Sequence, residues 1–391
     1  MVKNKNTILC FSEYYLPAFK AGGPIKSINN FVDYLGDEFN IKIICRAKDL
    51  KEKKYFSNIK INSWNSVGKA KVFYISDKMI KNFGIFTLLK NTKYDVLYIN
   101  SFFSFSFSIF PLILRKFKLT VKKPCVISPR GELSQNALKY KNIKKLLFIS
   151  FAKILGLHEN LHWKASNKSE LNDIKTVNIK DLKFKYILPD LISKPPKQTK
   201  KPSNRNYRKT KQFKIIFLSR ISPIKNLDFL LRVLAKVSSE IKFSIIGIRE
   251  DLIYWQKCFE LCKKLPINIE LCIENEVLPF QVSQKFQRND LFTFPTRGEN
   301  FGHVIFESLS VGTPVLVSDK TLWKSDKLKG VEVATLDEHR WAKTIEKLSN
   351  LSFKDQFKRR KGALLYANKV LKINDKSKLA YKKLFYDILF K

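Results

Sequence analysis

Short apolar runs along the chain alternate with stretches whose apolar residues recur at helical spacing. In the first half the runs are Ile8–Phe11, Ile41–Cys45, Lys71–Ile75, Val96–Ile99 and Cys125–Ser128, and helical spacing marks Pro24–Leu35, Ile80–Leu89 and Phe105–Lys116. Short apolar runs bounded by polar turns suit strands covered on both faces, and the interleaved helices supply the cover. This alternation predicts a doubly wound, mostly parallel α/β sheet. It stops at Lys194–Lys211, K-P-P-K-Q-T-K-K-P-S-N-R-N-Y-R-K-T-K, which has no aliphatic and no acidic residue. Such a segment cannot bury surface and is expected to be an exposed tether or loop. Strand-like runs resume at Phe213–Leu218, Phe243–Ile246, Ile269–Ile273, Leu291–Phe294 and Val315–Val317, so a second doubly wound lobe follows. The tail carries Leu379, Tyr381, Leu384, Phe385 and Ile388 in a basic, aromatic helical pattern. The reading is therefore a Rossmann-like lobe over residues 1–190, a basic exposed linker or loop over 191–212, a second Rossmann-like lobe over 213–370, and a terminal helix over 371–391.

At 391 residues the chain can bury two cores, and with 45% hydrophobic and 13% aromatic residues it is neither fibrous nor disordered. A formal net charge of +40 changes the picture. It points either to polyanionic company (nucleoside diphosphates, an anionic membrane face, nucleic acid) or to a residue usage rich in Lys and Asn. The six cysteines form no C-x-x-C pair and no zinc-like spacing, which suits a reduced cytoplasmic protein. Thr7–Phe11 reads as a first strand, too short for the apolar core of a signal peptide. The longest apolar stretch, Phe102–Leu114, contains three serines and Pro111 and falls short of the roughly twenty residues of a membrane span.

Candidate chemistry gathers at strand ends. Thr296–Pro314 reads T-R-G-E-N-F-G-H-V-I-F-E-S-L-S-V-G-T-P directly after the Leu291–Phe294 strand. Glu299 then falls in the loop beyond the strand's carboxyl end and Glu307 one to two turns down the following helix, whose free N–H groups face the crevice where α/β sheets bind ligands. His303 either bonds a ligand there or caps the helix. After Leu218, Arg220 and Lys225 occupy a strand-to-helix junction, where a guanidinium and an ammonium suit a diphosphate. Gly22-Gly23-Pro24 before a helix lets the backbone approach a phosphate or sugar closely, or is a plain turn. Arg130, in S-P-R-G-E-L, cannot serve as a base, so any role is electrostatic or positional. His162, beside Trp163, is read as structural in preference to functional. Lys139–Leu157 combines lysines with Leu146, Leu147, Phe148, Phe151, Ile154 and Leu155 at helical intervals, as either a lipid-headgroup helix or an ordinary core helix.

The Glu299–Glu307 spacing with E-N-F-G-H-V-I-F-E-S-L and G-T-P-V-L around it resembles the E-x7-E signature of family 4 glycosyltransferases. S-R-I-S-P-I-K-N resembles that family's G-R-x-x-x-x-K-G segment, with Ser219 and Asn226 where glycines are common, and S-P-R-G-E-L resembles a variant found in a subset of it. His162–Glu170 sits where relatives carry a strand followed by A-T-S-x-x-E, and Arg130 lies where many have a sugar-contacting histidine. The resemblance implies the GT-B fold, two Rossmann-like lobes with an interlobe cleft and the terminal helix 371–391 returning to the first lobe, and a retaining enzyme that moves a sugar, of hexosyltransferase type, from a nucleotide sugar to a glycan or lipid-diphosphate-linked acceptor of cell-surface polysaccharide or lipopolysaccharide synthesis. It implies that Glu299 holds donor-sugar hydroxyls, Glu307 the ribose, and Arg220 and Lys225 the diphosphate. Phe301, Gly302 and His303 complete an anion cradle beside Asn300, and Gly22, Gly23 and Arg130 face the substrates from the first lobe. With no D-x-D triplet in the chain, no metal and no cofactor is expected. Attachment to the inner face of the cell membrane through anionic lipid is expected, without nucleic acid. A catalytically silent relative and a basic nucleic-acid-binding protein are the alternatives.

Overall fold

A computed structural model of the chain describes residues 5–139, 142–177, 182–193 and 212–390. Two compact units result, Met1–Ser193 with Asn374–Lys391, and Lys194–Ile373. The strands of the first are β1 (Thr7–Phe11), β2 (Asn40–Arg46), β3 (Trp64–Val67), β4 (Ala70–Ile75), β5 (Val96–Ile99), β6 (Cys125–Ile127), β7 (His162–Ala165) and β8 (Phe184–Ile187). They stand in the order β3-β4-β2-β1-β5-β6-β7-β8, parallel throughout except for the β3–β4 hairpin. β3 and β8 lie at the sheet's edges with half-exposed side chains, so neither carries an apolar run that periodicity could detect.

Alternate residues of each strand point to opposite faces, and each face has its own core. Leu9, Phe11, Leu97 and Ile127 pack with Ile85, Leu88, Leu112, Ile149 and Ile174 from the helices Gly84–Asn91, Phe110–Lys116, Asn142–Ile154 and Lys168–Thr176. On the other face Ile8, Cys10, Ile43, Tyr98 and Val126 pack with the helix Gly23–Leu35 and with Tyr381, Leu384, Phe385 and Ile388 of the terminal helix. That terminal segment is the end of one 38-residue helix, Phe353–Phe390.

Two sequence expectations need correction. Ile80–Leu89 is not one helix: Asp77–Lys81 and Gly84–Asn91 are separated at Phe83, whose φ of 57° is left-handed, and a Cβ at Gly84 would lie 2.4 Å from Met79 Cγ. The exposed tether expected over Lys194–Lys211 lies outside the described residues. Leu191 and Ile192, placed by composition at the head of that basic segment, are instead buried in the first unit. Asn30 Nδ2 donates to the Leu191 carbonyl at 2.7 Å, Tyr34 Oη to the Ile192 carbonyl at 2.8 Å, and Ile192 N to Asn374 Oδ1 at 3.1 Å.

The second unit contains β9 (Phe213–Leu218), β10 (Ile241–Ile246), β11 (Ile269–Glu274), β12 (Leu291–Phe294), β13 (Val315–Ser318) and β14 (Val331–Ala334), all parallel, in the order β11-β10-β9-β12-β13-β14. The chain runs outward from β9 through β10 to β11, then returns to the other side of β9 as β12. Loops leaving the carboxyl ends of β9 and β12 therefore diverge, and a crevice opens at this switch point. The first unit has the same reversal between β1 and β5. Among the described residues no helix is long and apolar enough to cross a membrane.

Candidate functional site

At the switch point of the second unit, the loop after β9 and the loop after β12 are joined by hydrogen bonds. Arg297 N and Thr296 Oγ1 donate to the Ile224 carbonyl at 2.8 and 3.0 Å, and Asn226 Nδ2 donates to the Pro295 carbonyl at 3.0 Å. Asn226 has φ 62° and ψ 38°, a left-handed conformation that asparagine tolerates better than most residues. This explains how asparagine can stand where glycine was expected. The union of the loops brings Lys225 to Glu299, Nζ to Oε2 at 2.6 Å, with the side chains only 10% and 20% exposed. Lys225 Nζ also sits 5.2 Å from the Phe294 ring centroid, a cation–π contact that holds the ammonium at the end of β12.

Arg220, five residues earlier, is not part of that pair. Its guanidinium is ion-paired with Glu250 from the loop after β10. Backbone bonds fix this loop to Arg220's own segment, with Ser219 N donating to Ile246 O at 3.1 Å and Ile221 N to Ile248 O at 2.8 Å. Gly247 is required here: its φ is 151° and a Cβ would lie 1.8 Å from the Ser219 carbonyl oxygen. Ser222 Oγ, in the same loop as Lys225, is buried and has no hydrogen-bond partner among the described residues.

Beyond Glu299 the chain turns at Gly302, φ 76°, into the helix His303–Ser310. A Cβ at Gly302 would lie 2.8 Å from Ile305 Cδ1 and 3.1 Å from Glu299 Cγ, so glycine allows the glutamate loop and the helix start to pack together. His303 is buried at the first helical position with its ring 5.0 Å from Phe301, and Trp323 Nε1 donates to the Phe301 carbonyl at 2.6 Å. Asn300 is half-buried in the turn, and Glu307 lies about one turn into the helix, also half-buried.

In the first unit, Gly22 has φ 71° and a Cβ there would meet open space, while Gly23 begins the helix Gly23–Leu35. Asp49 secures this turn by accepting from Phe19 N at 2.9 Å and Lys20 N at 3.2 Å. Arg130, expected to face a substrate, is held by partners of the first unit. Its side chain is buried and its three nitrogens donate to Asn100 Oδ1 at 2.5 Å, to Tyr98 Oη at 3.1 Å and to the Asp190 carboxylate. Lys164, fully buried, donates to the same Asp190 oxygen at 2.8 Å, and Ser27 Oγ to the other at 3.0 Å. A guanidinium so engaged ties β5, β6 and β7 to the helix Gly23–Leu35. Glu170 accepts from Gly131 N and Ser166 N, each at 2.6 Å, which makes it a clamp on the turn that carries Arg130. His162 stacks on Phe184 at 4.6 Å and burial lowers its pKa, as a structural role requires.

In the helix Asn142–Ile154, Ile149 and Ala152 are buried, whereas Ile143, Leu147, Phe151 and Ile154, at i, i+4, i+8 and i+11, are exposed by 75%, 65%, 51% and 84%. Of the two readings of this segment, the one that made Leu147, Phe151 and Ile154 core residues is therefore wrong.

Sequence reasoning missed Glu250, Asn226 as a left-handed hinge, and Asp190. The string G-I-R-E after the β10 run was visible, but its meaning depends on β10 lying beside β9.

Residues 198–361 match the family model for glycosyl transferases group 1. An uncharacterized 41.2 kDa protein in the cps region of Klebsiella pneumoniae is 26% identical over 306 residues, 76% of this chain and 78% of that one. The crystal structure of Anabaena HepE in complex with UDP-glucose is similar over 96% of this chain and 99% of its own, with a TM-score of 0.70 at 14% identity. That of WaaG, a glycosyltransferase involved in lipopolysaccharide biosynthesis, is similar over 93% and 95%, with a TM-score of 0.57 at 12% identity. The two parallel-sheet units are those of the GT-B fold. The family match in the second unit, taken with this fold, supports a glycosyltransferase of group 1.

Proposed function

We propose that the chain is a retaining, metal-independent family 4 glycosyltransferase that moves a hexose from a nucleotide sugar to a lipid-linked precursor of a cell-surface polysaccharide or lipopolysaccharide. The observation that carries the reading is the Lys225–Glu299 pair at the β9/β12 switch point, with Arg220 on the same loop after β9, inside the segment that matches the glycosyltransferase family. Arg220 and Lys225 take the diphosphate, with Ser222 Oγ as a further donor to it. Glu299, released from Lys225, accepts from the sugar hydroxyls, Glu307 holds the ribose, and Asn300 with the N–H groups of Phe301, Gly302 and His303 supports the anion. The first unit, with Gly22 and Gly23 at an open turn, takes the acceptor.

In this reading the bond from the anomeric carbon to the diphosphate oxygen breaks while the acceptor oxygen attacks the same face. The departing diphosphate receives the acceptor's proton, and the two cations stabilise the charge it gains. Basic side chains thus do what a metal would do, and chelation with EDTA is expected to leave activity unchanged. Incubation with radiolabelled UDP-, GDP- and ADP-sugars and a membrane extract is expected to label a lipid-extractable product in the wild type and not in Lys225→Ala. Donor binding without transfer would identify a silent relative instead, and binding of nucleic acid without donor binding would end the proposal.

We also propose that the protein works at the inner face of the cell membrane, attached by the outward stripe Ile143, Leu147, Phe151 and Ile154 with Lys144 and Lys153 beside it. Each cation near an anionic surface contributes about 1 kcal/mol, so a few give reversible attachment. Co-sedimentation with anionic vesicles, lost in Leu147→Glu/Phe151→Glu without a change in melting temperature, is the expected result; equal recovery with neutral vesicles would overturn this location.

A further inference from the structure

Three ion pairs or clusters have been described, and they differ in how easily a ligand can open them. Arg130–Asp190 has side chains 8% and 7% exposed and Lys225–Glu299 has 10% and 20%, whereas Arg220–Glu250 has 33% and 28%. Solvent already reaches this last pair, so separating it costs little. Its backbone is nonetheless fixed. Asp251 N donates to the Ile221 carbonyl at 3.2 Å, Ile221 and Arg249 form a parallel bridge, and Gly247 is in close contact with Ser219, so the loop cannot withdraw as a whole. The flanking charges have other tasks: Asp251 caps the helix Leu252–Cys262 by accepting from Tyr254 N, and the Arg249 guanidinium lies 4.7 Å over the Trp255 ring. The Glu250 carboxylate meets Arg220, and with the loop backbone fixed it leaves Arg220 by side-chain rotation.

We propose that Glu250 sets the affinity of the site for nucleoside diphosphates, its carboxylate occupying Arg220 in the place a phosphate takes and yielding when the nucleotide binds. This rests on the donor-site reading above and deepens it. A carboxylate and a phosphate present the same kind of paired acceptor oxygens to a guanidinium fork, so the two compete for one partner. Glu250 is thus a positioning and affinity-setting residue that acts through Arg220.

The test is calorimetric titration of the full chain with UDP, GDP and ADP, and with the matching nucleosides. Glu250→Gln keeps the shape and an acceptor oxygen for Arg220 but removes the charge, and it is expected to tighten the diphosphate that the wild type binds by about tenfold, leaving nucleoside affinity unchanged. A residue that merely supports the loop would weaken binding when replaced. In an Arg220→Ala background the same substitution is expected to have no effect. Glu260→Gln, at an exposed site on the following helix, is expected to change nothing. Equal or weaker diphosphate binding by Glu250→Gln, or tightening that persists without Arg220, would overturn the inference while leaving the donor site standing. If none of the three diphosphates binds the wild type, the donor-site reading fails, and this inference fails with it.

Discussion

Lys225 and Glu299 are 74 positions apart in the chain and 2.6 Å apart in the fold, so each is the other's local environment before any ligand arrives. Removing one member leaves the other partly buried and uncompensated. A double-mutant cycle with Lys225→Ala and Glu299→Ala is therefore expected to show a coupling of about 1–2 kcal/mol in unfolding free energy, because the second loss costs less once the first has occurred. Additive effects in urea denaturation would count against the pair. His158 gives a pH prediction of definite sign. It is 3% exposed, stacked on Phe102 at 4.9 Å, and burial lowers its pKa to about 4 from 6.5. The folded state thus resists protonation that the unfolded state accepts, and the stability this represents is present above pH 6.5 and lost as pH falls towards 4. The loss is expected to reach roughly 2–3 kcal/mol. Urea titrations at several pH values should show a shallower decline over that window in His158→Phe.

On the scale of the element, the terminal helix is part of the first unit's core rather than an appendage. Phe385 meets Phe31 at 5.6 Å, Phe39 at 5.9 Å and Tyr98 at 6.1 Å between ring centroids, and Tyr381, Leu384 and Ile388 are buried with it. Phe385→Ala is expected to destabilise the first unit by about 3–5 kcal/mol, through lost transfer free energy and the cavity left behind. Hydrogen exchange would show increased exchange across β1, β2 and β5, and unchanged protection there would refute the claim. The helix's apolar pattern was legible in the sequence because helical periodicity is local. That its packed portion begins at Asn374 was not legible, since that depends on Asn374 accepting from Ile192 N. The helix Asn142–Ile154 shows the same limit. Its apolar residues were all visible, but only their register against the sheet shows which stripe faces outward.

For the whole molecule, 74 basic residues against 34 acidic ones produce a net charge of +40, which ion pairing leaves unchanged because each pair joins one charge of either sign. Self-repulsion of this kind opposes the compact state and is screened by salt within about 10 Å at 0.1 M ionic strength. Added sodium chloride is expected to raise the melting temperature while it releases the protein from anionic vesicles. Those two effects have opposite consequences for function, so measuring both separates screening from salt-induced unfolding; a falling melting temperature would show that attractive ion pairs dominate.

The alternation of strands and helices apart from β3, β8, β14 and the break at Phe83, the division into two units, and the placing of Arg220, Lys225, Glu299 and Gly22 in loops beyond strand ends could be read from the sequence. These depend on periodicity and turn chemistry acting over a few neighbouring residues. The partner of each charge depended on tertiary structure. Arg220 meets Glu250 because β9 pairs with β10, Lys225 meets Glu299 because β9 also pairs with β12, and Arg130 is enclosed because Asp190, 60 positions away, returns beneath it. A sequence pattern shows which side chains are able to bind an anion. Strand order, set by the burial of apolar faces far apart in the chain, decides which of them a carboxylate of the same protein already holds.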